Sequence, residues 1–82
     1  MYQINIIDIN NNEVSVCVAE SHCELLIKAI TKKRFWRNKV VVFDCYRPLD
    51  NSEFRYSETM IFRVKNIIRF SYSRIPGGII LT

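Results

Sequence analysis

The sequence predicts a small α+β domain, an antiparallel and barrel-like sheet of four to five strands with one helix, in the order β-β-α-β-β-β. Three observations carry this. Apolar and polar residues alternate near both ends of the chain, the period lengthens to 3.6 residues after Glu20, and an unbroken apolar run, Val40 to Phe43, follows. One stretch, Glu20 to Tyr46, links the helical pattern to that run through the basic and aromatic sequence KKRFWRNK.

Tyr2 to Ile9 reads as the first strand. Tyr2, Ile4 and Ile6 share one face, and a bulge near Ile6 would return Ile7 and Ile9 to it. Asn10, Asn11 and Asn12 tolerate left-handed backbone and suit a hairpin loop. Val14, Val16 and Val18 then alternate with Glu13, Ser15 and Cys17 as the second strand.

Ser21 followed by Glu24 matches the capping box S-x-x-E and predicts the start of the helix. Cys23, Leu26, Ile27 and Ile30 recur at i, i+3, i+4 and i+7, while His22, Glu24, Lys28, Thr31 and Lys32 take the wet side. Lys32, Lys33 and Arg34 complement the free carbonyls at a helix end near residues 33 to 35. Val40 to Phe43 reads as a strand buried on both faces. A helix of this length covers about two strands of one face, so barrel closure, a second copy of the chain or another protein must cover the other.

Arg47 to Ser57 is predicted as a loop of about ten residues, with Pro48, Asp50, Asn51 and Ser52 as turn formers. From Glu58 the alternation returns, with Met60, Phe62 and Val64 on one face and Thr59, Ile61, Arg63 and Lys65 on the other. Either a turn at Lys65 and Asn66 leads to a last strand or one long strand is bulged at Asn66, with Ile68, Phe70 and Tyr72 opposing Arg69, Ser71 and Ser73 in both readings. Pro76, Gly77 and Gly78 end it, and residues 75–82 form a tail whose Ile79, Ile80 and Leu81 are expected to pack on the domain or a neighbouring subunit.

Eighty-two residues make a single domain, 1–82, that buries roughly 64% of the surface its unfolded chain exposes. With 49% hydrophobic residues, two Gly and two Pro, the composition is that of a folded chain. The net charge of +4 is unevenly spread. Residues 1–27 carry four acids and no Lys or Arg, so the other residues hold all twelve bases, seven of them Arg. Cys17, Cys23 and Cys45 are odd in number and lack metal-knuckle spacing, so free, buried thiols are expected. No apolar run reaches the length of a membrane span and the N-terminus does not read as a signal peptide, which gives a cytoplasmic expectation. The many Ile and Asn residues and the short chain suit a phage or plasmid accessory protein.

Catalytic patterns are lacking. His22 is the sole histidine and is expected on the surface, and adjacent strand residues such as Asp44 and Cys45 point to opposite faces and cannot converge with it. Paired catalytic carboxylates, a glycine-rich phosphate loop and a metalloprotease motif are all missing, so neither an enzyme nor a cofactor is expected. The functional signal lies in bases interleaved with rings, a composition that serves phosphate contact and stacking. Arg34, Trp36 and Arg37 form one cluster, in which Phe35 and Trp36 read first as core that plugs the helix-to-strand junction, leaving the cations as a solvated helix end. Arg47, Arg55, Tyr56, Arg63 and Arg69 form another, and Arg63 and Arg69 share an outer sheet face where one anion would bridge them. The expectation is a non-enzymatic, homo-oligomeric protein that sequesters a nucleotide or a nucleic-acid segment. The alternative is an inhibitor or adaptor that docks an acidic protein.

Overall fold

In a computed structural model the chain is described over residues 1–50 and 53–76, with Ile79–Leu81 described as backbone alone. The elements are β1 (Tyr2–Asp8), β2 (Glu13–Val18), α1 (Glu20–Thr31), a one-turn helix α2 (Lys33–Trp36), β3 (Val40–Pro48), β4 (Glu53–Arg63), a 3₁₀ turn (Val64–Asn66), β5 (Ile67–Arg74) and β6 (Ile79–Leu81). They form one sheet in the order β5-β1-β2-β3-β4-β6. The first five strands are antiparallel and β6 lies parallel to β4, with Phe54 opposite Ile80. The α+β class and the order of elements agree with the sequence reading, but β4 and β5 form no ladder, so the sheet does not close into a barrel.

The β1–β2 hairpin forms where expected. Asn11 takes φ 63°, and Asp8 Oδ1 accepts the N–H groups of Asn10 and Asn12 at 2.9 Å each, so the loop satisfies its own backbone. β1 carries no extra residue near Ile6: its pairing with β5 shifts between Ile7 and Asp8, where the residue passed over is Ile68 of β5, and Ile9 is exposed. The pairing of β1 with β5 stays regular through Ile7 opposite Arg69, which moves the bulge to the strand's end.

The helix starts earlier than its capping box implied. Ala19 is the N-cap and makes no side-chain cap, so Ser21 and Glu24 lie inside the helix. The reason is burial: Val18 ends β2 inside the core and Cys23 must return to it five residues later. A helix begun at Glu20 achieves this, with the Cys23 N–H donating to the Ala19 carbonyl at 3.0 Å. Leu26 and Ala29 complete the buried stripe, against Ile4 and Ile6 of β1 and Val41, Phe43 and Cys45 of β3. Phe43 and Phe62 stack at 5.9 Å between ring centroids.

Two further expectations fail at β3 and β4. Val41 and Phe43 are buried, but Val40 and Val42 are 47% and 49% exposed, so the run is a one-sided strand with valines on both faces. The outer sheet face has no covering layer among the described residues, and β-branched residues there meet the demands of the pleat alone. The ten-residue loop after it is instead mostly strand. Tyr46, Arg47 and Pro48 pair with Tyr56, Arg55 and Phe54, and the Leu49 N–H donates to the Glu53 carbonyl at 2.7 Å. Aromatic cross-strand pairing outweighs the turn formers, and Pro48 is tolerated because it ends its strand. Asn51, Ser52, Gly77, Gly78 and Thr82, and the side chains of Ile79, Ile80 and Leu81, lie outside the described residues.

β2 and β3 share a single paired position, Cys17 opposite Tyr46. The sheet therefore splits into two leaves, β5-β1-β2 and β3-β4-β6, that diverge from this point with α1 packed between them. At the far end the chain ties the leaves together: Val64 and Lys65 donate to the carbonyls of Lys39 and Arg37, and Ile9 donates to Asn66. Radius of gyration and longest extent are 12.7 Å and 39 Å, the latter long enough to hold the full β3–β4 hairpin.

Candidate functional site

The divergence of β2 from β3 has two structural consequences. The first concerns His22, which sequence reasoning put on the surface. It is half-buried on the first turn of α1, and its Nδ1 accepts the Asp44 backbone N–H at 3.2 Å. A continuous ladder would have given that N–H to β2, so the imidazole replaces a missing strand partner. The second is a cleft of about 500 Å³ beside the one paired position. Val16, Cys17, Cys45, Pro48 and Ile75 supply apolar walls, Tyr46 a ring, and Gln3, Ser15 and Ser57 polar groups. Gln3 Nε2 donates to Ser15 Oγ at 3.1 Å.

Arg47 and Ser57 line this cleft and also a smaller adjoining depression of about 230 Å³ that they share with Arg55 and Tyr56. Arg47 and Arg55 are direct cross-strand partners, which sets their Cα atoms about 4.5–5.5 Å apart. Like charges so placed repel each other. Tyr56 and Tyr46 meet edge to face at 6.2 Å. Thr59 Oγ1 donates to Asp44 Oδ1 at 2.8 Å, and the Tyr56 hydroxyl lies 2.7 Å from Thr59 Oγ1. Thr59 has one proton and gives it to the carboxylate, so Tyr56 is the donor in its own bond. The tyrosine is thereby fixed on the face of the hairpin that it shares with Tyr46, while Arg47 and Arg55 share the other face, and all but Tyr46 line the depression.

The thiols in and near the cleft are kept neutral. Burial pushes Cys45 up to about 11, helped by the carboxylates of Glu58 and Asp44, and burial also raises Cys17 and Cys23. All three cysteines are free and buried. Nucleophilic or thiolate chemistry is therefore disfavoured at these positions. Among the described residues no group of three or more His, Cys, Asp or Glu is placed to hold a metal ion.

The other sequence-predicted residues gather elsewhere. Arg34 and Arg37 join Lys33 and Lys65 around a shallow depression of about 450 Å³ at the end of α1, and among the described residues no acid lines it. The Lys33 ammonium bonds the Ile67 carbonyl, which ties this basic end to β5. Phe35, one of the two expected plugs, is instead 80% exposed beside these cations, because α2 makes a single turn and one ring alone can face inward. Trp36 is that ring. It packs against the core, and Lys39 and Lys28 lie 4.6 and 5.5 Å from its centroid, so its π-face serves the chain's own cations.

Arg63 stands opposite Val40 and its Nη1 donates to the Asn38 carbonyl at 3.5 Å. Arg69 stands opposite Ile7 on β5, with β1, β2 and β3 between it and β4. The neighbouring strands on which one anion was expected to bridge these two arginines are therefore not formed. The structure thus brings Arg47, Arg55 and Tyr56 together, and separately Arg34 and Arg37, roughly 30 Å apart along a nine-residue strand.

Among the described residues no helix is long and apolar enough to cross a membrane. Comparison with protein-family models, with curated proteins and with solved structures gives no match.

Proposed function

We propose that this chain is a non-enzymatic binding protein that holds and sequesters an anionic, phosphate-bearing ligand on the β3–β4 hairpin. One observation carries this reading: Arg47 and Arg55 face each other across the hairpin in a depression that also contains Tyr56 and Ser57 and, among the described residues, no acid. An anion between two opposed guanidiniums turns their mutual repulsion into two charge-assisted contacts, and arginine's planar fork suits phosphate oxygens. The basic depression at the end of α1, with its exposed Phe35, supports the same class of ligand.

Native mass spectrometry and 260 nm absorbance of the purified protein test this directly, together with titration of inorganic pyrophosphate into wild type and Arg55→Glu. Pyrophosphate is expected to bind the wild type, and charge reversal is expected to weaken it by about tenfold or more, the loss of one charge-assisted contact. Equal binding by both proteins, or none by either, overturns the proposal.

A second reading, docking of an acidic protein, is favoured by the outer face of β3 and β4. There Val40, Val42 and Ile61 form an exposed apolar ladder beside Arg63, the kind of surface that a protein partner covers. Recovery of one acidic protein, lost on Ile61→Lys and retained on Arg55→Glu, would favour it over the first.

A further inference from the structure

We propose that the ligand is a single nucleoside phosphate, whose base enters the cleft between β2 and β3 while its phosphates rest on Arg47 and Arg55. The inference builds on the anion-binding reading and names the chemical class of the ligand.

Three features of the site point to this class. Its size is the first: about 500 Å³ lies within the range of small-molecule sites, and the neighbouring basic depression adds about 230 Å³. A bare phosphate or pyrophosphate would leave the larger part unused. The second is the division of chemistry along its length. The cleft proper has apolar walls from two thiols, Val16, Pro48 and Ile75, while both arginines lie at or beyond its mouth. The occupant is therefore an amphiphile with a mostly apolar body and an anionic head. The third is the polar groups set among the apolar ones. Gln3 and Ser15 occupy one wall and bond each other at 3.1 Å, so an amide and a hydroxyl are available to a flat body with donor and acceptor edges. A fatty acid has no such edges and leaves these groups without a role, whereas a nucleobase engages them.

Tyr46 lines the cleft, edge to face with Tyr56, and offers a ring on which a base would stack without dependence on its identity. Ser57 and Arg47 line both compartments and so mark the junction where a sugar passes from one to the other. The neutral state of Cys17 and Cys45 suits this arrangement, since a thiolate would repel the incoming phosphate. A polymer is a poorer fit, because the cleft ends against the Cys17–Tyr46 pair that joins the two leaves.

The test compares ADP, GDP, pyrophosphate and a ten-residue deoxythymidine oligonucleotide by calorimetry on the full chain, in wild type, Ser15→Tyr and Arg55→Glu. Ser15 is exposed on β2, where tyrosine is well accommodated, and the new ring fills the cleft. One or both nucleotides are expected to bind at least about tenfold tighter than pyrophosphate. Ser15→Tyr should abolish that advantage and leave pyrophosphate binding unchanged, while Arg55→Glu should weaken all of them.

If pyrophosphate binds and the nucleotides bind no tighter, the inference is overturned and the anion-binding reading stands. The same holds if the oligonucleotide binds tightest and ignores Ser15→Tyr. If nothing binds, both fall. Should Ser15→Tyr fail to fold, alkylation of the wild type decides: ADP or GDP, but not pyrophosphate, should slow modification of Cys17 relative to Cys23, which lies in the core under α1. Equal rates with and without nucleotide overturn the inference.

Discussion

At the scale of single residues, environment decides what a side chain does, and Cys45 illustrates it. Its thiol is 1% exposed and is raised from an ordinary 9.0 to about 11 by burial and by Glu58 and Asp44. Folding therefore favours the neutral form. The stabilisation is complete below pH 9 and declines as the pH rises from 9 towards 11, because the unfolded chain loses its proton first. The expected result is a fall in the urea midpoint over that window, and Cys45→Ala, though less stable at pH 7, should show a shallower fall. Parallel pH profiles for the two proteins would assign the slope to other groups. His22 makes the same point by a different route: its position on the helix reads as solvent-facing, yet it completes the hydrogen bonding of β3.

At the scale of elements, local signals compete with packing, and packing wins at the helix start. The capping box of Ser21 and Glu24 is present in the sequence, but the helix begins at Glu20 so that Val18 and Cys23 can both reach the core. Both residues are exposed and neither makes a cap. Replacing both by Ala should therefore change stability by no more than about 0.5 kcal/mol, as for ordinary surface positions. A loss of 1–2 kcal/mol in chemical denaturation, the cost of a lost cap, would show that the helix starts at Ser21 after all. The β3–β4 hairpin follows the same rule, since Tyr46 and Tyr56 pair in a segment whose composition suggests a loop.

At the scale of the whole molecule, one short helix packs on the inner side of five antiparallel strands, and among the described residues nothing covers their outer side. Much of that side is polar, with Gln3, Asn5, Ser71 and Ser73 on β1 and β5. Val40, Val42 and Ile61, the last 67% exposed, form an apolar group on it between Arg63 at one end and Asp44 at the other. We propose that two copies meet on this ladder. A two-fold axis through the Val42–Ile61 pair, lying across the strands, sets Arg63 of one copy over Thr59 of the other. Asp44 is then one strand spacing, about 4.8 Å, to the side. Three apolar side chains are far fewer than the roughly 20–30 residues a side of a stable interface, so the dimer should be weak. Sedimentation is expected to show concentration-dependent dimerisation in the micromolar range or above, and Ile61→Lys should give a monomer with unchanged pyrophosphate binding. A wild type that stays monomeric throughout would mean that the exposed ladder serves another partner or none.

The fold class, the order of the elements, the Asn hairpin and the buried stripe of α1 were legible in the amino-acid sequence. These depend on periodicity and turn chemistry, which act over a few residues and are written locally. It also marked Arg47, Arg55 and Tyr56 as notable, though as members of a loop. Only the tertiary structure decided that Arg47 and Arg55 are opposed, that Trp36 turns inward while Phe35 does not, and that Arg63 and Arg69 stand on strands that are not neighbours. The cleft had no local signal at all. It exists because β2 and β3 touch at Cys17 and Tyr46 and then part around α1, and the angle between two leaves is set by what is packed between them.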